Sequence, residues 1–274
     1  CPPPAGRCYS RRVHDPSTGP PADARTPAPL LVGEGESTVG HEAPGPEVRP
    51  IDRLVSAIEV LFCSGLPSQV LLALLLQGAG WQPFDASGGL SLRYIAVLSL
   101  ADTTIVVGLV LMFLRARGEA PQAVLLGARP IVGEAWLGLA LVIPILLGLG
   151  LRTLAPWLHN VPDNPLAALA RDPRSLAIFA VVVVVAGGLR EEVQRAFVLH
   201  RFRQHLGGAR AGLWIFSIAF GLGHLLQGSD AALLAAVLGL TWGVLYLRRG
   251  SIVAPLVSHA GFNLMEVLRQ AWVS

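Results

Sequence analysis

From Ile51 onward, hydrophobic runs of membrane-spanning length follow one another to the end of the chain, at roughly 54–79, 94–114, 132–151, 175–199, 211–227, 231–247 and 251–273. A bilayer core about 30 Å thick takes roughly 20 apolar residues per helix. Inside it every backbone N–H and C=O must be paired within the protein. The fold class expected is therefore all-α, a multi-pass transmembrane bundle of about seven spans. Bulk properties agree: 53% of residues are hydrophobic, mean hydropathy is +0.57, and 14% are charged, against about 25% in a soluble domain. Pro67 and Pro144 lie inside runs, where neighbouring helices can satisfy the backbone groups that a kink frees.

The domain division expected is a tail over 1–50 and a transmembrane helical domain over 51–274. The tail is rich in Pro, Gly and charge, as in PPPAGR, STGPPADARTPAP and HEAPGPEVRP. It lacks the periodic apolar residues that bury a core, so disorder is expected there. No positively charged stretch followed by an apolar core opens the chain, so a signal peptide is not expected. Cys1, Cys8 and Cys63 have no metal-ligand spacing, and a disulfide framework is not expected. The formal charge of +3 is spread thinly, and nucleic acid is excluded as a partner.

Arginines cluster before the first run (Arg49, Arg53), after the second (Arg115, Arg117, Arg129), after the fourth (Arg201, Arg203, Arg210) and after the sixth (Arg248, Arg249). The positive-inside rule places these on the cytoplasmic side, with the N-terminus inside. The expected location is a prokaryotic plasma membrane. The opposite segment 152–174 holds DNPLAALARDP, read as a short interfacial helix.

Ionisable residues within a span are costly, and each is a functional candidate. The stretch GGLREEVQRAFVLHRF at 187–202 puts Arg190, Glu191, Glu192 and Arg195 in one apolar run. Glu191 and Arg195 are four apart on one helix face and are expected to pair. Arg201 and Arg203 are expected as solvated charges at the span's end. AFGLGHLLQ places Phe220 and His224 in the fifth run, and PLVSHAGFNLMEVL places His259 and Asn263, again four apart, in the seventh. A lone His or Asn commonly joins membrane helices by hydrogen bonding. Three such features on C-terminal runs favour a shared site. A carboxylate with a His can hold and deprotonate water, and a second His with an Asn amide can donate to an oxyanion. One Glu with two His can instead ligate zinc and leave a position for water. Glu59, Asp102, Glu134 and Glu266 are further polar residues without an assigned role; Asp102 is read as a cap or pairing group.

EEVQR, FGLGH and HAGFN, in this order on three hydrophobic segments, resemble the CAAX-protease and bacteriocin-processing family of intramembrane endopeptidases. The resemblance covers about 175–273. FxxxH (Phe220, His224) and HxxxN (His259, Asn263) match the family pattern. The Glu motif departs from it: the family has EExxxR, whereas Arg195 here comes one residue early. Aligning the Glu pair makes Glu191 the catalytic Glu; aligning Arg195 moves Glu191 to the second Glu. The first alignment keeps the whole pair and is preferred.

The resemblance implies a peptidase in which Glu191 or Glu192, with His224, activates water while His259 and Asn263 stabilise the oxyanion. Arg195 and Phe220 would support them. It implies a membrane-embedded or lipid-anchored protein or peptide as substrate, in contact with the bilayer. The cofactor stays open between none and a divalent metal such as Zn, which Glu191, His224 and His259 would hold. Three other readings are a catalytically inactive scaffold or partner-binding protein of the same fold, a proton-coupled transporter, and a bis-His haem or di-metal protein.

Overall fold

The computed structural model describes residues 48–86, 88–149, 157, 160, 161, 166, 169 and 172–273. The tail expected over 1–50 lies outside these residues except for 48–50, as does most of the interfacial helix expected at 163–173. Among the described residues the architecture is helical, and only an isolated bridge between Phe84 and Leu90 departs from it.

The first hydrophobic run is two helices, α1 (Pro50–Phe62) and α2 (Leu66–Gly78), bent by 40°. Gly65 takes the left-handed conformation at φ +80°, which a side chain disfavours. Pro67, unable to donate a backbone hydrogen bond, sits in the first turn of the new helix, where that donor is unneeded. Then come α3 (Leu92–Ala116), the short α4 (Pro121–Leu125) and α5 (Ile131–Leu149), which carries Pro144 inside it.

The C-terminal half is one long helical path, a hairpin and a final helix. Asp172 caps α6 (Pro173–Val184) by accepting from the backbone N–H of Arg174 and Ser175. A six-residue π-helical segment, Val185–Arg190, joins α6 to α7 (Glu191–His205). Gly207 and Gly208, at φ +91° and +94°, turn the chain into α8 (Ala209–Leu222). A 3₁₀ turn, Leu225–Gln227, leads to α9 (Ser229–Arg249), which packs back along α8, and α10 (Val253–Val273) closes the chain against α5, α6 and the π segment.

Among the described residues three helices (α3, α5 without its last residue, and α9) are long and apolar enough to cross a membrane, or four if α1 and α2 make one bent span. The expected count of seven is not reached on this measure. The shortfall falls on the site-bearing runs: charges and a π segment interrupt 173–205, α8 has only 14 residues, and α10 carries polar groups. The protein is nonetheless an integral membrane protein by these spans. Large apolar side chains such as Leu74, Trp136, Ile143, Leu147 and Ile218 stay exposed on helix surfaces, as lipid contact requires.

Where α1, α3 and α7 meet, charged groups form a buried network. Arg201 is fully buried, which corrects the expectation of a solvated charge. Its Nε donates to Glu59 at 2.5 Å and its Nη1 to Glu119 at 2.6 Å. Arg117 also holds Glu59, at 2.8 Å, and donates to the Ser56 hydroxyl at 3.1 Å. Glu119, in the turn after α3, additionally accepts from Gln204 at 2.5 Å and meets His200 Nε2 at 2.9 Å. Burial pushes the Glu119 carboxyl up, but the hydrogen bonds from Gln204, Arg201 and His200 outweigh it and hold the group at about 2, below its ordinary 4.5. A carboxyl held low in the folded state stabilises fully above its unfolded pKa and loses that contribution as pH falls through the folded one. Thermal unfolding in detergent should therefore show a stability loss between about pH 4.5 and 2 that Glu119→Gln reduces. An unaltered pH dependence in the variant would remove Glu119 as its source.

Candidate active site

Glu192 is nine-tenths buried and more, with a side-chain exposure of 1%, and faces the interior from the first turn of α7. Its Oε1 receives the Arg195 guanidinium one helical turn on and also contacts His259 Nδ1 at 2.8 Å. Arg195 thus pairs with Glu192 at i, i+3, correcting the expected i, i+4 pair with Glu191. Both spacings lie on one helix face; the approach of His259 from α10 draws Glu192 inward, where Arg195 reaches it. Arg195 is itself only 1% exposed. Its guanidinium lies over the rings of Phe216, Phe220 and Trp242 at 5.2, 5.3 and 5.6 Å, an aromatic housing that supplies cation–π attraction to a desolvated cation.

His259 is held on three sides. Trp242 from α9 stacks on its ring at 3.7 Å, and Phe220 from α8 meets it edge-on at 6.0 Å. Trp242 Nε1 donates to the Ser258 hydroxyl at 3.2 Å. An ionised carboxylate only accepts, so with Glu192 ionised the Nδ1 position carries the proton. Nε2 then faces Glu191, whose Oε2 is 3.6 Å away. Glu191 is the more open of the two carboxylates, at 15% exposure. Its Oε1 accepts from Arg190 Nη2 at 3.2 Å.

His224 follows α8, half-buried, with Nδ1 at 2.8 Å from the Phe220 carbonyl. That carbonyl can only accept, so Nδ1 carries the proton and Nε2 keeps its lone pair. Phe220 lies between the two imidazoles, 4.7 Å from the His224 ring. Asn263, one turn beyond His259, donates from Nδ2 to the Val183 carbonyl at 3.4 Å. It can approach because Gly187 lacks a side chain: a Cβ there would sit 2.6 Å from Asn263 Nδ2. Gly188 likewise admits Ala260, whose Cβ would lie 2.9 Å from an added one. Gly187→Ala should therefore turn the Asn263 amide aside. For the oxyanion role that the resemblance implies for Asn263, a fall in kcat of about ten-fold is expected, short of the ~10²–10³ for deleting an oxyanion donor. An unchanged kcat would show that this amide does not act in the reaction.

The structure thus brings Glu191, Glu192, Arg195, Phe220, His259 and Asn263 together, with His224 reached through Phe220. Among the described residues no three His, Cys, Asp or Glu side chains converge to hold a metal ion. The proposed ligand set Glu191, His224 and His259 is not gathered in this conformation, because His224 is tied to its own helix while His259 Nδ1 is engaged by Glu192.

Residues 173–265 match the family model of type II CAAX prenyl endopeptidases, Rce1-like. This segment is similar to the CAAX-protease family over that stretch. The match takes in about a third of the chain, from α6 into α10, and holds each of the seven residues above. No curated protein and no solved structure shows a match to the chain. Within the matched segment, sequence reasoning passed over Trp242, the plate against which His259 lies. Its signal was a Trp deep in an apolar run, where membrane tryptophans more often mark the interface. Asp102, outside the segment, was expected to cap or pair, and it pairs with Arg190 and Ser68.

Proposed function

We propose that this protein is an intramembrane endopeptidase that hydrolyses a peptide bond of a membrane-embedded or lipid-anchored protein. The observation that carries the reading is the pairing of one open carboxylate, Glu191, with one imidazole, His259, whose orientation is fixed by a second, buried carboxylate. The arrangement separates two jobs. Glu192, neutralised by Arg195, orients His259; Glu191 is left for proton transfer.

In the proposed reaction a water bound at Glu191, assisted by His224, gives its proton to the Glu191 carboxylate. The hydroxide so formed adds to the scissile carbonyl carbon. The oxygen of the tetrahedral intermediate takes hydrogen bonds from the Asn263 amide and from Nε2–H of a doubly protonated His259, whose Nδ1–H stays on Glu192. The C–N bond then breaks as Glu191 passes the proton to the leaving nitrogen. A divalent ion such as Zn, which Glu191, His224 and His259 would hold, is the alternative means of activating the water; metal analysis of the purified protein and sensitivity to chelators test it. The arginine distribution supports a cytoplasmic N-terminus in a prokaryotic plasma membrane, so the substrate is expected to present its cleavage site from that leaflet.

The test is cleavage of candidate lipidated and membrane-spanning peptides by purified protein in bilayers, compared with His259→Ala and read by mass spectrometry. Cleavage by the wild-type protein and its loss in the variant is the expected result. Equal cleavage by both would overturn the reading. A folded protein that cleaves no lipidated or membrane-spanning peptide would instead support the inactive scaffold.

A further inference from the structure

A buried carboxylate of α3 reaches this site from outside the family segment. Asp102 is fully buried, in the middle of a span where an unpaired charge is costly. Its Oδ1 accepts from the Ser68 hydroxyl at 2.5 Å, and its Oδ2 accepts from Gln69 at 3.2 Å and from Arg190 Nη1. Arg190, at 13% exposure, reaches the other way through Nη2 to Glu191 Oε1. Gly65, at the α1–α2 bend, lies beside the pair: a Cβ there would be in ordinary contact with Arg190 Nη1 and Asp102 Oδ2, at 3.4 and 3.6 Å, and it is the φ of +80° that favours glycine. The bend, α2, α3 and the π segment thus converge on one guanidinium.

We infer that Asp102 and Arg190 form a positioning unit for Glu191. The inference rests on the reading of Glu191 as the group that activates water. Arg190 forks between two carboxylates, and a guanidinium holds such a geometry better than an ammonium. With Oε1 of Glu191 fixed by Arg190, Oε2 is the atom turned toward His259 Nε2. Asp102, with Ser68 and Gln69 as its own supports, keeps Arg190 from collapsing onto Glu191 as a simple ion pair. The first half of the chain is therefore part of the active site, although the family segment begins only at residue 173.

The test measures kcat, KM and melting temperature for Glu191→Gln, Arg190→Gln, Arg190→Lys, Asp102→Asn and the double variant Asp102→Asn/Arg190→Gln. A misplaced reacting group costs up to about 10²-fold. The expected result is a fall in kcat of about ten-fold or more in Arg190→Gln, with KM within about two-fold and partial recovery in Arg190→Lys. Removing one partner of a buried pair leaves the other charge uncompensated, so a single variant that fails to fold is replaced by the double one, which removes both charges. A purely structural pair predicts that the double variant regains wild-type kcat, and that result would overturn the inference. A positioning unit predicts that kcat stays low although the melting temperature recovers. Full activity in Glu191→Gln would sink the reading of Glu191 and this inference with it. Loss in Glu191→Gln beside wild-type kcat in the double variant would sink the inference alone.

Discussion

Glu191→Gln is expected to lower kcat by about 10²–10⁴-fold, the range for losing a positioned general base, while the melting temperature stays near that of the wild type. Glu191 holds little of the fold. It is partly open, and its recorded partners are Arg190 at 3.2 Å and His259 at 3.6 Å. Glu192→Gln should behave differently. Glu192 neutralises a buried Arg195 and anchors His259, so its neutralisation leaves a guanidinium uncompensated, a change that costs about 3–5 kcal/mol in buried pairs. Activity and stability should fall together. Circular dichroism melts in detergent, run beside a cleavage assay, separate the two carboxylates. The opposite pattern, with Glu192→Gln stable but inactive and Glu191→Gln unstable, would exchange their roles.

The largest expected effect on stability alone is at Arg201. Arg201→Ala removes a fully buried guanidinium that ties α1 to α7 through Glu59 and α7 to the turn after α3 through Glu119. Glu59 keeps Arg117, and Glu119 keeps His200 and Gln204. The loss is therefore placed at about 3 kcal/mol, the lower end for broken buried pairs. Arg201→Lys should recover only part of it, since one ammonium cannot fork between two carboxylates. Ten residues of helix, about 15 Å, separate Arg201 from Glu191, so turnover per folded molecule should hold. A melting temperature unchanged in Arg201→Ala would mean that this network contributes nothing measurable.

The motifs around Glu191, His224, His259 and Asn263 were legible because an apolar run makes any polar residue conspicuous. What the sequence left hidden depends on partners far away along the chain. Arg201 reads as a span-end charge until Glu59 and Glu119, 142 and 82 residues distant, close over it. The two candidate partners of Arg195 are adjacent in sequence, and only α10 decides between them. Asp102 advertised itself as a mid-span acid, yet its partner Arg190 lies 88 residues on. The span count suffered for a related reason: hydropathy averages across Gly65, across the π segment and past the end of α8, whereas the backbone bends, widens or stops at each.

The π segment has a consequence for chain length. A π turn takes up one residue more than an α turn over the same advance, so Val185–Arg190 stores a surplus residue between two regular helices. Deleting Gly187 or Gly188 would let the segment rewind as an α-helix while α6 and α7 keep their mutual phase. The paired carboxylates would still point inward, and Asn263 would meet a narrower helix. Insertions and deletions elsewhere in α6 or α7 have no such reserve: each turns everything beyond it by about 100°, which carries Glu191 and Glu192 off the face that His259 meets. Length variation in this path is therefore tolerable at the widened turn and nowhere near the carboxylates, a contrast that a short series of single-residue deletions, scored by folding in detergent, would expose.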